Sequence, residues 1–145
     1  MLTLGTFLML HFSKILLLFI LFVPLYAKEY AVVVSFKSAP ITQNKIKALF
    51  LKKSSFIGEK KIVPLNLALG SSIRKSFERK VLHMSLRSLQ SYWTREHYLG
   101  VRPPISMQSQ KSMQAFIKNV SGAIGYVRME NIDSEMYIVY KWSDE

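Results

Sequence analysis

The sequence contains no cysteine. That excludes disulfides, thiolate metal ligands, a cysteine nucleophile and a lipid-modified cysteine behind a leader, so the fold must hold through packing alone. Acid is scarce as well: 9 Asp and Glu stand against 20 Lys and Arg, a formal net charge of +11. The carboxylates are scattered, and none forms a pair suited to acid–base work. Only three histidines occur, and outside the N-terminal stretch these are His83 and His97, 14 positions apart with no carboxylate at metal-ligand spacing. Both read as helix-surface residues. A serine nucleophile at Ser71 or Ser72 would need a base and an orienting acid, and the sequence nominates neither. Catalysis, metal binding and cofactor chemistry are therefore not expected.

Long apolar runs are missing except at the start. There "MLTLGTFLMLHFSKILLLFILFVPLYA" places Lys14 before the apolar run Ile15–Leu25 and ends Leu25-Tyr26-Ala27 before Lys28. This is the order of a secretory signal peptide. Eleven residues fall short of the roughly 20 that a bilayer span needs. Residues 1–27 are expected to be a cleaved leader, with Met1 or Met9 as the start, and residues 28–145 a single exported domain, periplasmic in a bacterium, with no membrane span. One of the 20 basic residues lies in the leader, leaving 19 against 9 acids, a charge of +10. Such a surface favours acidic partners: phosphate-bearing ligands, anionic lipid or envelope polymers. Export disfavours nucleic acid.

Strand and helix signals alternate along the remainder. "EYAVVVSF" reads as a buried strand, and "ITQNKIKALFL" as a helix capped by Thr42 with Ile46, Leu49 and Phe50 on one face. "KKSSFIGEKK" reads as a polar loop with Phe56 stranded in it. "IVPLNL" is a second strand, in which Pro64 argues for an edge or an irregularity. A helix follows in residues 69–82, with Ser71 or Ser72 as its cap and Ile73, Phe77 and Val81 on one stripe. Another spans about 85–98, with Leu86, Leu89, Trp93 and Tyr98 near one face and Gly100 ending it. A brief strand near Ile105, a helix in "SQKSMQAFIKN" and strands in "SGAIGYV" and "MYIVYKW" complete the pattern. The class is α/β: one three-layer sandwich with a mixed, mostly parallel sheet of about five strands flanked by helices.

One helix start is unusual. In "LGSSIRKSFERKVL" the first turn carries Arg74 and Lys75, although unpaired N–H groups already make that end positive. An oxyanion would relieve the repulsion. Gly70 lets the backbone turn closely, Ser71 and Ser72 add hydroxyls, Arg74 offers a planar fork and Lys75 a point charge. Ser38, beyond the first strand, is a further candidate for the same rim. The plain alternative is a serine cap with Arg74 paired to Glu78 four residues on.

The order of elements resembles the phosphate-type substrate-binding proteins of ABC transporters, with their periplasmic-binding-protein type II fold. "ITQNKIKALFLKKSSF" is similar to that family's helix ending in "IFLGK". "IVPLNLALGSSIRKSF" is similar to its strand, Arg-x-Asp-x-Ser-Gly-Thr turn and helix, and "SGAIGYV" to its "PGAIGYV". The resemblance spans roughly residues 30 to 127. It implies a phosphate or similar oxyanion held by Gly70, Ser71 and Ser72, with Arg74 at a basic position of the short members. The family's upstream Arg and Asp have no counterpart in "LNLALG", where only Asn66 is polar, and its threonine is replaced by Ile73. A full receptor closes two lobes over its ligand, whereas this chain accounts for one. The resemblance implies an ABC transporter or a second lobe from another chain as partner. The alternative is a basic envelope interaction module that keeps the fold and binds no small ligand.

Overall fold

The computed structural model describes residues 26–144. The expected leader therefore falls almost wholly outside the described residues. Among these, no helix is long and apolar enough to cross a membrane.

Five strands form one sheet: β1 (Lys28–Val34), β4 (Val63–Leu67), β5 (Ile105–Met107), β6 (Ala123–Arg128) and β7 (Tyr137–Asp144), in the order β5-β4-β6-β1-β7. β4 pairs in parallel with both β5 and β6, while β1 runs antiparallel to β6 and β7. Four strands thus point one way and only β1 opposes them. The run Tyr30–Val34 is buried on both faces because it is flanked by a strand on either side and covered by helices. This is the mixed, mostly parallel sheet that the pattern implied.

The stretch read as a polar loop instead forms a small hairpin, β2 (Phe56–Ile57) against β3 (Lys60–Lys61), with Gly58 at φ +58° in the turn. A two-residue Gly-containing turn between short strands is the signal that identifies it. Pro64 sits in an interior strand, yet the register accommodates it. Val63 sends its N–H to the Gly122 carbonyl on the β6 side. Alternation then turns the Pro64 nitrogen toward β5, whose pairing begins only at Leu65.

Among the described residues four α-helices complete the fold: α1 (Gln43–Phe50), α2 (Ser72–Lys80), α3 (Leu86–Tyr98) and α4 (Gln110–Asn119). α1 buries Ile46, Leu49 and Phe50, and the Thr42 hydroxyl accepts from the Lys45 N–H as its cap. Phe50 of α1 and Phe77 of α2 pack at 4.7 Å between centroids, and Phe77 stacks on Tyr126 of β6 at 4.2 Å. α4 covers the other face: a Cβ on Gly125 would lie 2.6 Å from Met113 Sδ and 3.1 Å from Ile117 Cδ1. Glycine there lets the helix approach β6.

α3 lies outside α1, where the Tyr92 hydroxyl donates to the Leu51 carbonyl at 2.6 Å. Its inward residues are Leu89 and Tyr92, whereas Leu86 and Tyr98, expected on the same face, are 53% and 84% exposed and Trp93 is half-buried. The apolar stripe exists, but the protein covers only part of it.

Candidate functional site

β4 ends at Leu67, and the chain turns through Ala68, Leu69 and Gly70 into α2. Ala68 donates to the Met107 carbonyl and Ser71 donates to Ala68, so the turn is tied to the end of β5. Ser71 is the N-cap, in an extended conformation, and its hydroxyl oxygen accepts from the Arg74 N–H at 3.3 Å. Lys75 donates to the Ser71 carbonyl. The N–H groups of Ser72 and Ile73 take no partner among the described residues. These two amides, the exposed Ser72 hydroxyl and the exposed Lys75 all belong to the first turn of α2. Gly70 is exposed, and a Cβ there would meet nothing within 4 Å.

Arg74 faces elsewhere. Its Nε donates to Glu78 Oε1 at 2.6 Å and its Nη1 to the Leu67 carbonyl at 2.8 Å. Both side chains are largely buried, at 14% and 9% exposure. The guanidinium is therefore turned back onto the end of β4 and neutralised by the protein's own carboxylate. The pairing with Glu78 is the one that (i, i+4) spacing allows, and burial makes it matter more than its order on the helix would suggest.

A buried tyrosine supports the same turn. β6 pairs with β4 only at Val63 and Pro64. Further along, the Tyr126 hydroxyl donates to Asn66 Oδ1 at 3.0 Å and accepts from the Leu67 N–H at 3.2 Å. Burial pushes the Tyr126 phenol well above its ordinary value, while the Leu67 N–H and the Arg74 charge pull the other way. It therefore stays a neutral donor throughout the working range. Asn66, the one polar residue of "LNLALG", is spent on this bond.

Ser38 does not join the rim. β1 is antiparallel, so its end at Val34 lies level with Ile124 of β6, and Ile124 lies level with Pro64 at the beginning of β4. Ser38 follows Val34 away from that level, and its hydroxyl donates to the Ala39 carbonyl. The expectation of a shared rim assumed a parallel first strand. Direction alone overturns it.

A polar network under α2 has no obvious mark in the sequence. Ser76 donates to Asp144 Oδ1 at 2.5 Å, Tyr30 donates to Asp144 Oδ2 at 2.8 Å, and the Trp142 indole N–H donates to Ser76 at 2.9 Å. Arg79 adds a looser contact at 3.5 Å. Burial works to raise the Asp144 carboxyl, but the hydrogen bonds from Ser76 and Tyr30 and the charges of Arg79 and Lys80 together hold it below its ordinary value. The network ties α2 to β7 and β1. His83 accepts from the Gln43 amide at 2.7 Å, and His97 stands beside Tyr98. Among the described residues no group of three His, Asp or Glu could hold a metal ion.

No protein-family model matches the chain, and no curated protein matches it by sequence. Solved structures do resemble it. A phosphate transport receptor of ABC type from Vibrio cholerae superposes with a TM-score of 0.63 at 16% identity, over 78% of this chain and 46% of the receptor. A protein of Clostridium perfringens, described as a phosphate ABC transporter substrate-binding protein with bound phosphate, superposes with a TM-score of 0.62 at 15% identity, over 78% of this chain and 44% of its own. The chain spans less than half the length of these receptors. At such identity the likeness shows the fold alone: this chain shares the α/β architecture of slightly less than half of each receptor.

Proposed function

We propose that the protein is an exported, non-catalytic binding lobe that takes a phosphate-like oxyanion at the start of α2. The observation that supports this is the pair of unpartnered amides, Ser72 and Ile73, at the carboxyl end of β4, beside the Ser72 hydroxyl and Lys75. Arg74 acts as an internal staple and not as a direct ligand. Without its fork, and without a second lobe to exclude water, binding is weak and falls in the millimolar range. A transporter or a second lobe from another chain would be needed for tight capture.

Titrating the protein with inorganic phosphate while following amide shifts tests the reading. Localised changes at Ser71, Ser72 and Ile73 are expected. Ser72→Pro is the decisive variant. Proline is favoured at the first helical position, and Ser71 already has the φ −67°, ψ 127° that a following proline requires. The helix survives while one amide and one hydroxyl are deleted, so the shifts should vanish. Equal shifts in the variant would refute an amide-based site.

The second reading, a basic interaction module without a small ligand, draws on the Arg74–Glu78 pair, which removes the strongest anion-binding side chain from play. It predicts no localised phosphate response even in the unaltered chain.

A further inference from the structure

The stripe on α3 that the protein leaves open borders a furrow. Leu86, Leu89, Trp93 and Tyr98 run along its α3 wall at three- to five-residue intervals, with Leu69 and Pro103 closing the sides, around a hollow of about 460 Å³. A second hollow of about 570 Å³ continues it through Leu69, Glu78 and Leu86 toward Lys75, Arg79 and Met84. Leu69, Leu86 and Tyr98 are 64%, 53% and 84% exposed, an unusual cost for large side chains lying together. α3 has 13 residues, so the furrow beside it is on the order of 20 Å long.

Charge selects among occupants. The only carboxylate lining either hollow is Glu78, which Arg74 already neutralises. Lys75 and Arg79 stand on the rim of the second hollow together with His83, while His97 lines the first. Lys75 makes no ion pair among the described residues, and Arg79 makes only the 3.5 Å contact with Asp144. A second copy would bring another chain of net charge +11 against this basic rim. Residues 1–25 carry Lys14 and no acid, so they offer no complementary charge. A concave hollow also suits an inserted segment better than a flat bilayer.

We infer that the furrow between α2 and α3 is a docking groove for an acidic amphipathic helix of a partner protein. The partner's apolar face lies along Leu86, Leu89, Trp93 and Tyr98, and its carboxylates meet Lys75 and Arg79. This inference shares Lys75 with the anion reading but does not depend on it, because its floor is apolar and lies on α3 and Arg79 supplies a second charge.

The test uses the full chain and a synthetic 18-residue helical peptide with Leu on one face and Glu elsewhere, beside the same peptide with Lys replacing Glu. The Glu peptide is expected to bind, to change Trp93 emission, and to weaken at least tenfold when salt rises from 20 to 300 mM. The Lys peptide should not bind. Leu86→Asp and Tyr98→Ala should each weaken the Glu peptide at least tenfold. Both positions are exposed, and Asp at a helix start is favourable, so the fold is retained. Ser72→Pro should leave peptide binding unchanged while removing the phosphate response, which separates the two sites. Equal binding of both peptides, or no effect of Leu86→Asp, overturns the inference. So does self-association abolished by Leu86→Asp, or capture by anionic vesicles that depends on Tyr98 when the Glu peptide is ignored.

Discussion

Arg74 illustrates how one side chain can change role without changing place. Its spacing to Glu78 was visible in the sequence, as was its position at a helix start. Which of the two possibilities prevails depends on burial, and burial comes from the packing of α2 against β4. Once the pair is largely removed from water, breaking it leaves a desolvated carboxylate and also strips the Leu67 carbonyl of its donor. Arg74→Ala should therefore lower unfolding free energy by about 3 kcal/mol. Glu78→Gln keeps an acceptor for the guanidinium and should cost only about 1 kcal/mol. Urea midpoints at neutral pH measure both, and equal small losses would mean that the pair is a surface contact. The Tyr126 hydroxyl that secures Asn66 and Leu67 was not legible, because its partners lie 60 and 59 residues away. No local pattern links such distant positions.

Elements were more legible than their mutual directions. Apolar periodicity located the four α-helices of the described residues, and Thr42 marked the start of one; in the structure Thr42, Ser71, Ser85 and Ser109 each accept the N–H three positions on, a local signal of the same kind. The reversed direction of β1 was not legible, because a buried strand looks alike either way, and Ser38 was misplaced for that reason. The segment "SGAIGYV" has a packing cause for both glycines. Gly122 has φ +81°, and a Cβ there would fall 2.0 Å from the Lys61 carbonyl oxygen, while Gly125 admits α4. Gly122→Ala should therefore destabilise several-fold more than Gly70→Ala, which meets nothing, and thermal melts of the two variants decide it. The Asp144 network makes a pH prediction at the same scale. Because the folded-state value lies below the unfolded one, its stabilisation is complete above the unfolded value and is lost as pH falls through the folded one. The stability gap between the unaltered chain and Asp144→Asn should be constant above about pH 5 and shrink toward pH 2. A gap that stays constant down to pH 2 would show that Asp144 is not held ionised by Ser76 and Tyr30.

At the scale of the whole molecule the excess of positive charge acts on everything at once. Net charge of this size destabilises the compact state by self-repulsion, so sodium chloride should raise the melting temperature by screening. Multivalent anions also stabilise folded proteins through exclusion from their surface. A rise on adding phosphate therefore identifies no site by itself. Specific binding adds a third contribution that follows mass action: with a dissociation constant of about 1 mM, 10 mM phosphate stabilises by about 1.4 kcal/mol. For a domain of this size that corresponds to a rise of about 6 °C. The screening and exclusion contributions are shared by Ser72→Pro, which alters no charge, whereas the specific contribution is not. At matched ionic strength, phosphate should raise the melting temperature of the unaltered chain above its value in chloride by more than it raises that of Ser72→Pro, by about 6 °C. Identical increments in the two proteins would mean that the start of α2 holds no anion, and that the positive charge serves the surface as a whole.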